Sequence, residues 1–225
     1  MADAVVLLSG GLDSSTVLAI AVREGHRCHA LTFRYGQRHQ IEVEAAARIA
    51  RALGAADHRV IDIPLGELGS SSLTDRSSAV PRGRTPHTMA TEIPSTYVPA
   101  RNTIFLAYAL AVAEVTQSDL IYVGVSAVDY SGYPDCRPEY VEAFRRLAEL
   151  ATRRAVEGRP AQIVAPLLHL GKAEIIRKGI ELGVDYSLTV SCYDPDQQGR
   201  ACGRCDSCLL RRRGFREAGI PDPAV

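Results

Sequence analysis

The chain has 225 residues, 46% hydrophobic and 23% charged, with 26 basic residues balanced by 26 acidic ones. That composition excludes a disordered or low-complexity polymer and leaves room for one sizeable core with a small appendage. Zero formal net charge argues against a basic nucleic-acid coat. The longest apolar run, Ile104 to Ala113, has ten residues, whereas a membrane span needs about 20. The apolar start stops at Ser9-Gly10-Gly11 and has no basic flank, so the expectation is a cytoplasmic protein without a signal peptide. Thiols stay reduced in that compartment, and the six cysteines read as metal ligands or packing residues.

Ala4 to Leu8 is a continuous apolar run, the pattern of a parallel strand buried on both faces. After a Ser/Gly turn, Val17, Leu18, Ala21 and Val22 mark one face of a helix. His29 to Phe33 reads as a second strand, and Glu42 to Leu53 as an Ala-rich helix closed by Gly54. Val60 to Ile63 is a third strand, stopped by Pro64. Residues 65–100, rich in Ser, Thr, Gly and Pro, read as a long functional loop or lid. Asn102 to Val115 returns to helix and Leu120 to Gly124 to strand. An irregular segment at 125–138 precedes a helix expected to run about 18 residues from Glu139. Ile163-Val164 is a short strand, Lys172 to Leu182 a helix, and the tail from Cys192 is turn-rich. This alternation predicts an α/β fold with a doubly wound parallel sheet, whose ligands sit beyond the carboxyl ends of the strands. The expected division is a nucleotide-binding and catalytic domain at 1–185 and a small metal-binding region at 186–225 packed on it.

Ser9-Gly10-Gly11-Leu12-Asp13-Ser14-Ser15 lies between the first strand and its helix. Two glycines let a ligand approach the backbone, and the amides and dipole of a helix start favour an anion. The Walker loop is excluded because it needs a lysine, and the dinucleotide fingerprint because its third glycine is absent. Asp13 in an anion cradle makes sense if Mg²⁺ bridges its carboxylate to phosphate oxygens.

Cys192, Cys202, Cys205 and Cys208 follow the spacing C-x9-C-x2-C-x2-C. Four thiolates so placed predict a closed, structural zinc site, one ion per chain, with an iron–sulfur cluster as the alternative. Cys28 reads as core and Cys136, between Asp135 and Arg137, as a loop cysteine. Arg211-Arg212-Arg213 could touch RNA, or could complement a helix end or line a subunit contact. Only two of the basic residues, Lys172 and Lys178, are lysines.

The Ser-Gly-Gly-x-Asp-Ser string resembles the PP-loop of the ATP pyrophosphatases, which split ATP between its α and β phosphates. Further strings narrow the likeness: Thr32 to His39 (Thr-Phe-Arg-Tyr-Gly-Gln-Arg-His), Tyr97 to Asn102, Ser131 to Arg137 (Ser-Gly-Tyr-Pro-Asp-Cys-Arg) and the cysteine tail. From about Val5 to Phe215 the chain closely resembles the 7-cyano-7-deazaguanine synthases of queuosine biosynthesis, with Leu12 where glutamine is common and Ala100 where glycine is usual. The resemblance implies conversion of 7-carboxy-7-deazaguanine and free ammonia into a nitrile, through adenylated acid and amide, with two ATP consumed. It implies ATP binding across Leu8, Ser9, Gly10, Gly11, Leu12, Asp13, Ser14, Ser15, Thr16, Val17 and Leu18, with Mg²⁺ at Asp13.

Asp13, Arg101 and Arg38 are the catalytic candidates, the arginines stabilising charge at phosphorus or gripping the substrate carboxylate. Asn102, Asp129, Ser131, Gly132, Tyr133, Asp135 and Arg137 are the substrate-binding candidates, Tyr133 stacking on the base and an aspartate accepting its N–H groups. His39 is a candidate proton acceptor or a structural histidine. The implied assembly is a homodimer, with no stable nucleic-acid or membrane partner. The competing readings are a PP-loop enzyme that modifies tRNA and a zinc-knuckle RNA-binding module.

Overall fold

The computed structural model describes residues 1–128, 132–196 and 198–224. Five parallel strands form one sheet in the order β3-β2-β1-β4-β5. They are β1 (Asp3–Leu7), β2 (Arg27–Arg34), β3 (Asp57–Asp62), β4 (Leu120–Tyr122) and β5 (Gln162–Val164). β1 is paired on both sides, Val5 standing opposite His29 on β2 and Ile121 on β4. Its apolar run has the cause the sequence suggests, because successive side chains feed different layers. Ala4, Val6 and Leu8 pack with α1 (Leu12–Arg23), α2 (Ile41–Ala52) and the helices of the tail, whereas Val5 and Leu7 pack beneath the later helices.

The remaining helices are α3 (Pro86–Thr91), α4 (Arg101–Thr116), α5 (Pro138–Ala148), α6 (Arg153–Val156), α7 (Lys172–Glu181) and α8 (Asp206–Ala218). Two expectations need correction. The helix expected from Glu139 ends at Ala148, and α6 starts anew where the Thr152 side chain accepts from Ala155 N at 3.1 Å. The tail is not all turns: α8 runs 13 residues and buries Phe215 in the core. Gly214 reads locally as a helix breaker, yet it lets α8 lie against α7, since a Cβ there would come within 2.9 Å of Lys172 Cβ and Ile176 Cδ1.

Segment 65–100 is loop for most of its length, with a 3-10 turn at Leu65–Leu68 and the short α3. It is fastened to the tail. Gly83 N donates to Arg204 O at 2.9 Å, Arg84 pairs with buried Asp206 at 2.6 Å, and Val80 packs on the cysteine cluster.

Candidate active site

The chain order reverses between β1 and β4, the place where open α/β sheets bind ligands. A cavity of about 290 Å³ opens there, floored by strand ends including Leu7, Leu31, Phe33, Val123 and Val125. The Ser9–Ser15 loop forms one wall. Gly10 takes φ +82° and Gly11 leads into α1 in extended conformation. Gly10 is pressed against α2, where a Cβ would overlap the Glu42 carbonyl oxygen and lie 2.8 Å from Ala46 N. From the other side Val190 N donates to Gly10 O at 2.9 Å and Leu12 N to Ser191 Oγ at 3.4 Å. Ser9 N donates to Ser14 Oγ at 3.1 Å, and Ser15 Oγ to Gly11 O at 2.7 Å. The loop is therefore held by hydrogen bonds from both sides, and the first-turn amides of α1 have no intrahelical acceptor.

Of the residues expected to bind ATP, Leu8, Ser9, Gly11, Leu12, Asp13 and Ser14 line this cavity. Ser15, Thr16, Val17 and Leu18 lie one layer behind as buried side chains. Thr16 Oγ1 meets Tyr186 OH at 2.7 Å.

Asp13 has a partner that local sequence reading does not find. Lys172 Nζ, from the first residue of α7, lies 2.7 and 2.8 Å from its two carboxylate oxygens. Gly214 makes room for the lysine stem. The only available signal was rarity, a lysine opening a helix in a chain with two.

Arg101 opens α4 and faces the cavity from the opposite side. Its Nη1 donates to Tyr35 OH at 3.2 Å, and its guanidinium lies 5.6 Å from the Tyr35 ring centre and 5.8 Å from that of Tyr133. Burial opposes the charge, but the Tyr35, Tyr133 and Asp135 oxygens outweigh it and hold the arginine pKa above its ordinary value. The preceding Ala100 is left-handed, φ +54°, its N–H reaching Tyr97 OH at 3.1 Å. A glycine would take that conformation without strain.

The other candidates divide. Arg38 reaches the cavity wall, but its guanidinium donates to the carbonyls of Asp75 (2.7 Å) and Ser78 and sits 3.8 Å from Asp194. It pins segment 65–100. Asp135 is buried and accepts from Asn102 N at 3.0 Å, while Asn102 Nδ2 donates to Asp135 O at 3.0 Å. This aspartate caps the start of α4, and Asn102 lines the cavity. Tyr133 lines it too, its hydroxyl donating to Thr96 Oγ1 at 2.9 Å. Gly132 is buried with φ +86° beside Glu92 and Pro94, and Arg137 is exposed, bound to Pro134 O at 3.0 Å. Asp129 and Ser131 lie outside the described residues. His39 lines the cavity, and burial lowers its pKa despite Asp194 at 4.0 Å. Burial also pushes the Cys136 thiol up to about 12, so it is not a thiolate at neutral pH. Glu42, Tyr35, Tyr193 and Ser191 also line the cavity and were not singled out from sequence.

The four tail cysteines offer sulfur atoms that all lie within 4.8 Å of one another. Tetrahedral zinc with Zn–S of about 2.3 Å requires S–S edges of roughly 3.8 Å, so the set fits. Backbone amides of Cys202 and Asp194 point at Cys192 Sγ (3.2 and 3.4 Å), and that of Cys205 at Cys202 Sγ (3.4 Å), which favours thiolates. Arg211 faces inward, bidentate on Asp222 at 2.8 Å with Thr189 Oγ1 at 2.7 Å. Arg212 donates to Gly203 O at 3.2 Å and Arg213 to Glu217 at 2.7 Å, so the triplet is woven into the tail.

A lysine-free loop with two glycines at the switch point of such a parallel sheet is the arrangement of the PP-loop fold class. The solved structures agree at the level of fold. A 4-thiouridine synthetase–RNA complex with bound ATP superposes with TM-score 0.53 at 19% identity, covering 96% of this chain and 53% of that one. The NMN synthetase of Francisella tularensis gives 0.50 at 19% identity, over 98% and 78% of the two chains. The family model described as "Queuosine biosynthesis protein QueC" matches residues 3–219, and the chain belongs to that family. It is 61% identical to the 7-cyano-7-deazaguanine synthase of Anaeromyxobacter sp. (strain Fw109-5), over 99% of this chain and 95% of that protein. It is 60% identical to that of Paramagnetospirillum magneticum, over 100% and 98%. No helix among the described residues is long and apolar enough to cross a membrane.

Proposed function

We propose that this chain converts 7-carboxy-7-deazaguanine and ammonia into 7-cyano-7-deazaguanine, consuming two ATP, in queuosine biosynthesis. The observation that carries the reading is one cavity holding the Ser9–Ser15 cradle, the Asp13–Lys172 pair and Arg101 on the facing wall, in a chain of this family. A carboxylate is a poor electrophile because its oxygens leave badly. Transfer of AMP to one of them releases diphosphate and makes that oxygen part of a good leaving group. Ammonia then displaces AMP to give the amide. Adenylation of the amide oxygen, followed by loss of AMP and protons, leaves the nitrile.

The residues divide these tasks. Amides at the start of α1, with the Ser9 and Ser14 hydroxyls, hold the departing diphosphate. Lys172 brings positive charge to the same place. Arg101 grips the substrate carboxylate in a two-pronged pair and aims it at the α-phosphorus. Its cation–π contacts with Tyr35 and Tyr133 fix its direction. Tyr133 and Tyr35 offer flat surfaces to the base. Magnesium held by Asp13 would neutralise phosphate charge, and the four cysteines would hold zinc as a structural cross-link. A cytoplasmic homodimer is part of this reading.

The test is product analysis by mass spectrometry after incubation with ATP, Mg²⁺, ammonium and the carboxylic acid. Nitrile, AMP and diphosphate are expected, and ATP turnover without nitrile would overturn the reading. Lys172→Met should lower kcat by roughly 10²- to 10³-fold, the usual loss when one preorganised charge-stabilising group is removed.

A further inference from the structure

Glu42 sits in the first turn of α2 and lines the cavity. Its backbone is fixed, because the Glu42 carbonyl is the atom against which Gly10 packs. Its side chain differs from every other acidic group of the site. Asp13 is held by Lys172, Asp135 caps α4, and Asp194 is held by Arg82 at 2.6 Å. Among the described residues none donates a hydrogen bond to the Glu42 carboxylate and none forms an ion pair with it; Arg101 acts on it only through space. Burial pushes its carboxyl up to about 7, against the pull of Arg101.

Glu42 is half-buried, and a carboxylate that lines a cavity with no protein donor leaves both oxygens free to accept from the N–H groups of a ligand. The surrounding wall shows which kind. Tyr35, Phe105, Tyr133 and Tyr193 make this end of the cavity aromatic, suited to a flat ring. Arg101 in the same wall suits an acidic substituent on that ring. A guanine-type base presents a ring N–H and an exocyclic amino group side by side, a pair of donors matching the two oxygens of a carboxylate. Charge-assisted pairs of this geometry are the strong ones.

We propose that Glu42 is the residue that reads the base, accepting the ring N–H and the adjacent amino group of the deazaguanine while Arg101 holds its carboxylate. The assignment rests on the function proposed above and moves base recognition from the 129–137 loop to α2. It makes Glu42 a specificity-determining residue whose loss falls on one substrate and not on the nucleotide.

The first test needs no variant. Calorimetric titration of the zinc-loaded wild-type protein with the carboxylic acid and with its analogue lacking the 2-amino group should show the analogue binding roughly 10- to 100-fold more weakly. Equal affinities would overturn the proposal. The second test is Glu42→Gln, checked for zinc content and circular dichroism. It should weaken base binding by a similar factor, abolish discrimination between the two acids, and leave the KM for ATP within about twofold. Unchanged base affinity with a raised KM for ammonium would overturn it in favour of a proton-handling role. Parallel loss of ATP and base affinity would overturn it in favour of a scaffold role. If wild type produces the nitrile while Glu42→Gln retains base affinity, only this assignment falls. If wild type makes no nitrile, the broader reading falls.

Discussion

Gly10→Ala is the sharpest probe of how the Ser9–Ser15 loop packs on α2. The residue occupies φ +82°, and a Cβ would overlap the Glu42 carbonyl oxygen and sit 2.8 Å from Ala46 N and 3.1 Å from Ala45 Cβ. Those are backbone atoms and the first side-chain atom of a packed helix, so no rotamer change relieves the clash. Left-handed backbone costs a non-glycine residue about 1–2 kcal/mol, and overpacking about 1–3 kcal/mol more. The sum, roughly 2–5 kcal/mol, is below the total stability expected of a domain, so the variant should fold. Its melting temperature should fall by roughly 4–20 °C. The loop relieves contact only by retreating from α2 by roughly 1 Å, and misplacement on that scale costs about 10²-fold in rate. Differential scanning fluorimetry and diphosphate-release kinetics read the two effects. Wild-type melting with wild-type turnover would refute the close packing of loop on helix.

Cys205→Ser should lose bound zinc, measured by inductively coupled plasma mass spectrometry, and should melt earlier because segment 65–100 and the tail share that cluster; a metal-free variant of full stability would refute the structural role. Ala100→Gly should raise the melting temperature by roughly 1–4 °C, since relief of about 1–2 kcal/mol of left-handed strain exceeds the added chain entropy of about 0.5–1 kcal/mol; a lowered melting point would refute it. Glu42 keeps its proton in the folded protein up to about pH 7 but loses it near 4.5 when unfolded. The ligand-free protein should therefore lose stability as pH rises from about 4.5 to 7, by up to roughly 3 kcal/mol from this group. Urea midpoints of wild type and Glu42→Gln at pH 5 and 7.5 compare the slopes, and parallel slopes would refute the burial argument.

Local pattern revealed what local physics controls. The apolar runs of β1 and β2 announce strands buried on both faces, and the Ser-Gly-Gly turn between strand and helix falls at the wall of the cavity. The cysteine spacing revealed the cluster because short loops bring the four sulfurs within 4.8 Å of one another whatever surrounds them. What the pattern hid depends on contacts distant in sequence. Lys172 meets Asp13 across 159 positions, through packing of α7 on α1 and a vacancy at Gly214. Phe215 is core because α8 docks on α7, although its own segment is rich in arginine. Asp135 looked like a base reader because it neighbours Tyr133, but its carboxylate points to the amide of Asn102, 33 positions earlier. Glu42 follows closely on the informative Tyr35-Gly36-Gln37-Arg38-His39 string, and only the three-dimensional arrangement shows that its carboxylate has no donor among the described residues.

Scarcity of lysine turns the Asp13 contact into a spectroscopic opportunity. Isotope-labelled lysine fed to an expression host would mark two side chains in the molecule, Lys172 and Lys178. The second stands on the outer face of α7, so its signal is an internal reference. The first is clamped between both oxygens of one carboxylate in the cavity wall, and its ammonium resonance would report any ligand entering the cavity without a foreign dye, tag or engineered cysteine.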